Sequence, residues 1–159
     1  MIPLSPLQLK QHFFTHFAVR AFEKGSPEAV ASFEPAVFCE REPELANHWR
    51  LGLVIKLKGA NHEKPLLYEV EVALQGIVEV NSDFPEEKRE QLAFVNGLSL
   101  LYSASREMLL TATGRCAHGP MCLPTLNFAE IFAGWNAENK TKEPRRERGR
   151  EPAGKKSKV

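Results

Sequence analysis

The chain has 159 residues, 43% of them hydrophobic and 26% charged, and a net charge of +1. That length suits one domain of roughly 130 residues, large enough to bury about two thirds of its unfolded surface without disulfides. Three cysteines form no paired framework and are expected as reduced thiols. Met1 to Leu9 lacks a basic region followed by an apolar run, and no apolar run approaches the roughly 20 residues of a membrane helix. A soluble, cytoplasmic protein without a membrane partner is expected. The net charge hides a division. Residues 138–159 carry nine Lys/Arg against four Glu, a balance of +5, which leaves −4 for the rest. The expected organisation is therefore a mildly acidic domain over residues 1–137 and a disordered basic tail over residues 138–159.

From His12 to Glu23 aromatic and β-branched residues crowd together. Phe13, Phe17, Val19 and Ala21 are expected on one face of a strand, and His16, Arg20 and Phe22 on the other. Lys24 to Ser32 contains Gly25 and Pro27 and reads as a connection. A second strand is expected from Phe33 to Glu42, with Pro35 near its start or on a sheet edge because proline donates no hydrogen bond. The third strand is the clearest: Trp49, Leu51, Leu53, Ile55 and Leu57 alternate with His48, Arg50, Gly52, Val54, Lys56 and Lys58. Gly59, Ala60, Asn61 and His62 make a hairpin loop. The fourth strand starts near Pro65, with Leu66, Tyr68, Val70, Val72, Leu74, Val78 and Val80 on one face. Gly76 in mid-strand predicts a bulge or a close backbone approach. Short connections between consecutive strands argue for an antiparallel meander.

The period then changes to that of a helix. Asp83 and Glu86 fit a capping box, with Pro85 in the first turn. Leu92, Val95, Leu98, Tyr102, Leu109 and Ala112 recur at helical spacing, predicting a helix that runs to about Thr113, where Gly114 stops it. Its small middle, Gly97, Ser99, Ser103, Ala104 and Ser105, suits close packing on a neighbour. An apolar loop with Met121, Leu123 and Leu126 follows. Asn127 and Glu130 then give a second capping signal for a short helix with Ile131, Phe132 and Trp135. The fold class is α+β: a four-stranded antiparallel sheet, then a long helix, a connecting loop and a short helix.

Little in this sequence carries catalysis. There is no phosphate-binding glycine loop, dinucleotide fingerprint or nucleophile elbow, so no cofactor and no catalytic residue is assigned. Glu69 and Glu71 share a strand face roughly 7 Å apart, a spacing open to acid–base work but ordinary for a solvated polar face. Cys116, His118 and Cys122 supply three of the four ligands of a zinc site and lack both a fourth and a Cys-x-x-Cys pair, so they read as loop thiols and no metal is assigned. The basic tail has no aromatics to stack on bases, and nucleic acid is not the expected partner. The apolar loop fits two roles equally, core packing or an exposed binding groove.

Several short motifs, in order, resemble the SecB family of export chaperones. Phe33-Glu34-Pro35-Ala36-Val37 looks like the family's aromatic-x-Pro-x-Val opening of the second strand. Glu71-Val72 with Gln75-Gly76-Ile77 is similar to its fourth strand, and Ser105-Arg106-Glu107 to the Ala-Arg-Glu of its long helix. Leu123 to Phe132 resembles its loop and final Asn-Phe-x-x-Leu-Phe helix. The resemblance spans residues 12 to 136. It implies a non-enzymatic, ATP-independent holdase, a homotetramer built as a dimer of dimers, that binds unfolded preproteins for the Sec translocase. It places Phe33, Val37, Cys39, Tyr102, Met121 and Leu123 at a peptide groove, and Glu23 and Glu71 at the surface that docks the motor SecA. Three departures are plain: another acidic position holds Val19, the tail is basic, and Gly97, Ser99 and Leu100 stand where prolines usually interrupt the long helix. They leave as alternatives a SecB-like chaperone dedicated to a toxin–antitoxin pair, or a nucleic-acid-binding protein using the tail.

Overall fold

The alternation of the third strand is realised as β3 (His48–Gly59), which lies between β2 (Ala31–Arg41) and β4 (Tyr68–Val80) in a computed structural model that describes residues 2–60 and 64–142. All pairings are antiparallel, and the strand order is β1-β4-β3-β2, with β1 (Leu7–Ala21) on the far side of β4. The expected meander therefore holds for β2-β3-β4 only. The β1–β2 connection instead crosses the end of the sheet, as in a Greek key. Backbone bonds stitch it there: the Phe22 and Ser26 N–H groups donate to the Leu67 and Pro65 carbonyls, and Ala60 N–H to the Val30 carbonyl.

β1 starts five residues earlier than the aromatic run suggested and ends at Ala21, which leaves Glu23 in the following turn. It also carries two bulges, between Leu9 and Gln11 and between Phe14 and His16. Each inserts one residue and so switches the side chains to the other face. Leu7, Leu9, Phe14, Phe17 and Val19 thus turn inward. Phe13, expected beside Phe17, pairs with Gln75 on the open face and is 48% exposed. Gly76 itself is the close approach rather than the bulge: a Cβ there would sit 2.8 Å from Leu101 Cδ2.

The long helix spans Glu86 to Thr113 as three consecutive pieces, α1 (Glu86–Leu92), a π-helical turn (Ala93–Gly97) and α2 (Leu98–Thr113). The expected capping box does not form. Pro85 occupies the N-cap position without a side-chain cap, and Asn81 Oδ1 accepts the Asp83 N–H instead. Gly97 packs on the sheet, where a Cβ would lie 2.3 Å from Leu51 Cδ1. Ala112 is exposed and Thr113 is buried in its place. Gly114 keeps right-handed geometry with its N–H on the Leu110 carbonyl, and the positive φ, +75°, belongs to Gly119. Phe94, Leu98, Leu101 and Leu109 close a dry core over Leu51, Leu53, Ile55, Val72, Leu74 and Val78.

α3 (Phe128–Lys142) is capped as its sequence predicts, with Asn127 Oδ1 accepting the Ala129 and Glu130 N–H groups. Five residues expected in the tail, 138–142, continue this helix; residues 143–159 lie outside the described residues.

Candidate functional site

The segment from Gly114 to Asn127 is held by side chains from two elements, α2 and β4. Thr113 Oγ1 donates back to the Leu109 carbonyl and accepts the Met121 N–H at 2.7 Å. Tyr68 on β4 donates its hydroxyl to the Gly119 carbonyl at 2.7 Å and accepts the His118 N–H at 3.3 Å. His118 Nε2 lies 2.6 Å from the Phe22 carbonyl oxygen, which makes Nε2 the proton-bearing ring nitrogen and ties the segment to the β1–β2 connection. Further on, the Tyr102 hydroxyl donates to the Pro124 carbonyl, and the Tyr102 and Phe128 rings meet edge to face at 5.8 Å. Burial raises the Tyr102 phenol above its ordinary value, so it remains a donor at neutral pH.

These anchors divide the six residues expected at a peptide groove. Cys39, Tyr102 and Leu123 are 6%, 4% and 2% exposed and belong to the core. Phe33, Val37 and Met121 are half-buried against it. The division follows from where the long helix lies. It covers β1, β4 and β3, and leaves the inner side of the edge strand β2 as a shelf. Phe33, Val37 and Cys39 point to that side, opposite Leu57, Leu53 and Leu51. Beside Leu57 an apolar cleft of about 190 Å³ opens between Pro27 and Ala29 of the β1–β2 connection, Leu66, Leu67 and Tyr68, and Met121. Met121 is thus the one predicted groove residue that lines the cleft. Pro27, Ala29, Leu57, Leu66 and Leu67 were missed. The apolar residues after Pro65 were legible, but read as strand they gave no sign that the β1–β2 connection folds over them.

The remaining candidates separate. Cys39 is buried, and burial first, then the charges of Glu90 and Glu40, pushes its thiol up to about 12; that thiol is an inert core group. Cys122 is exposed and takes an Arg106 guanidinium N–H at 3.3 Å. Among the described residues no three His, Cys, Asp or Glu side chains are grouped to hold a metal ion. Glu23 is exposed in its turn, whereas Glu71 on the open sheet face pairs with Lys56 at 3.2 Å. The Lys56 hydrogen bond and charge hold the Glu71 carboxyl below the ordinary carboxylate range. Glu69 lies two residues along, opposite Arg20. No helix among the described residues is long and apolar enough to cross a membrane.

Residues 18–139 match the family described as preprotein translocase subunit SecB. The protein-export protein SecB of Sinorhizobium fredii is 29% identical over 100 residues, which cover 63% of this chain and 59% of that protein. Its counterpart from Rhizobium meliloti is 28% identical over 100 residues, covering 63% and 58%. The match thus spans under two thirds of the length of these relatives. Among solved structures, the Mycobacterium tuberculosis SecB-like chaperone Rv1957, in complex with a ChAD peptide from the HigA1 antitoxin Rv1956, superimposes with a TM-score of 0.53. The identity is 16%, over 76% of this chain and 90% of that one, a likeness of fold.

Proposed function

The chain belongs to the SecB family, and from that premise we propose that it is an ATP-independent holdase for unfolded polypeptides in the cytoplasm, keeping preproteins competent for the Sec translocase. The observation that carries this reading is the shelf of Phe33 and Val37 leading past Leu57 to the Met121 cleft. An apolar strip beside an edge strand takes an extended segment through side chains in pockets and backbone along the edge, which requires no fixed client sequence. The unbranched Met121 adapts to whatever side chain arrives. Such work is binding alone, with no chemical step.

The proposal includes a homotetramer. β1 is a fifteen-residue edge strand, and Leu100 and Met108 stand 42% and 40% exposed on the long helix. Edge pairing and helix packing would cover both. Light scattering is expected to give four times the 17.9 kDa of one chain. The decisive test is suppression of aggregation of a chemically unfolded client, without nucleotide, at one tetramer per client. An intact oligomer that leaves aggregation unchanged would sink the reading.

A dedicated toxin–antitoxin chaperone is the second reading, and the engagement of Glu71 by Lys56 favours it. A carboxylate already paired is a weaker docking point for SecA. A pull-down with the C-terminal segment of SecA separates the two: retention supports export, while loss with client holding intact supports the dedicated role.

A further inference from the structure

The cleft at the end of the shelf contains a thioether. Of the three methionines in the sequence, Met121 lines that cleft, half-buried against the core, whereas Met108 stands 40% exposed on the long helix. The backbone around Met121 is pinned. Its N–H donates to Thr113 Oγ1 at 2.7 Å, and two residues earlier the Gly119 carbonyl takes the Tyr68 hydroxyl proton, also at 2.7 Å. A change of polarity at the sulfur is therefore felt inside the cleft rather than absorbed by a shift of the loop.

The lining is suited to a thioether and not to a stronger acceptor. Pro27, Ala29, Leu57, Leu66 and Leu67 bring no side-chain donor. Tyr68 has one hydroxyl proton, committed to the Gly119 carbonyl, and its oxygen already accepts the His118 N–H. The remaining polar side chain, Ser26, uses its Oγ to accept the Glu28 N–H. Oxidation converts a flexible apolar methionine into a polar sulfoxide. In this cleft the new oxygen either stays unpaired or turns to solvent across the opening, and both outcomes remove the place of an apolar client side chain. The thiols do not share this position: Cys39 is buried, and Cys116 and Cys122 lie outside the lining.

Building on the client-binding reading of the cleft, we propose that Met121 is a modification site where a hydroperoxide forms the sulfoxide and closes the chaperone to clients. With hydrogen peroxide, a sulfur lone pair attacks one peroxide oxygen, and the S–O bond forms as the O–O bond breaks. Sulfur is oxidised by two electrons. The proton of the transferred oxygen passes to the leaving one, which departs as water. The empty chaperone is the sensitive form, because a bound segment covers Met121. Methionine sulfoxide reductases acting on both sulfoxide epimers reverse the change.

The test treats the full chain with hydrogen peroxide, then with dithiothreitol to restore oxidised thiols, and titrates it with the fluorophore-labelled unfolded client. Peptide mass spectrometry locates the added oxygen. Client affinity should fall about tenfold in proportion to Met121 sulfoxide. Light scattering should show the assembly unchanged, and the two reductases should restore affinity. Client bound beforehand should slow oxidation of Met121 several-fold and leave that of Met108 unaffected. In Met121→Leu the ratio of affinities before and after peroxide should stay near one, whereas Met108→Leu should lose affinity as the wild type does. The proposal is overturned by an equal loss in Met121→Leu, by full recovery with dithiothreitol alone, or by a loss that follows Met108 oxidation or disassembly. It is also overturned if Met121 resists peroxide, or if its sulfoxide binds client as before. Those results leave the client-binding reading standing, whereas untreated protein that binds no client removes both.

Discussion

Leu123 and Met121 stand two residues apart in one loop, yet the first is 2% exposed and the second lines an open cleft. The same contrast separates Cys39 and Tyr102 from Phe33 and Val37. The proposed groove would combine both kinds of residue: an anchored floor that fixes its shape and an adaptable rim open to a client. Substitution should tell them apart, because floor residues act through stability and rim residues through binding.

The floor is the place to break the molecule. Leu123→Asp puts a carboxylate into a dry site with no partner, at a cost of more than about 4 kcal/mol, a large share of the 5–15 kcal/mol typical of a domain. Urea denaturation should show an unfolded or strongly shifted protein. A native-like midpoint with lost client binding would move Leu123 to the rim. Tyr102→Phe is a milder change on the same floor. It keeps the ring against Phe128 but deprives the Pro124 carbonyl of its donor, for about 1–3 kcal/mol. The raised phenol pKa adds a sign. A group whose folded pKa lies above its unfolded value stabilises fully below that unfolded value, near pH 10, and loses the contribution as pH rises through the folded one. The wild type should therefore lose stability in that alkaline window more steeply than the Phe variant.

Met121→Asp, alone or with Phe33→Asp, should leave the midpoint within about 1 kcal/mol. Client affinity should fall roughly tenfold, equivalent to about 1.4 kcal/mol. Titration of an unfolded client labelled with a fluorophore measures this. Unchanged affinity would place the binding surface elsewhere.

How much of this could be read in advance depended on the range of each signal. The alternation of Trp49 to Leu57 and the helical spacing of Leu98 to Leu109 are local and strong, and gave the sheet and the long helix. Asn127 capped its helix as its type predicts. What failed was parity and position. The two bulges in β1 leave no mark in composition, so Phe13 was assigned to the same face as Phe17. The strand order was missed because the β1–β2 connection is held by backbone bonds to Leu67 and Pro65, which no residue type announces. Asp83 looked like a cap but lost its place when Asn81 took its N–H. The groove residues came from resemblance rather than from spacing. Their burial was settled by how far the long helix reaches across the sheet, a tertiary fact that leaves β2 uncovered.

Glu23 and Glu71 form a second, gentler pair of this kind, grouped by resemblance and separated by the fold: one is exposed in a turn, the other tied to Lys56. Because the Lys56 hydrogen bond and charge lower the Glu71 pKa, the pair contributes above the unfolded carboxylate value, near pH 4.3. That contribution is lost as pH falls through the lower folded value. Carboxyl-carbon NMR should place the Glu71 midpoint below the ordinary range and return it upward in Lys56→Gln, with the thermal midpoint nearly unmoved because the pair is solvent-screened. If SecA docking improves in Lys56→Gln, the lysine was masking a usable carboxylate. If docking is absent in both proteins, releasing Glu71 is not enough, and the weight shifts to Val19 and the basic tail as the features that turn this chain toward another partner.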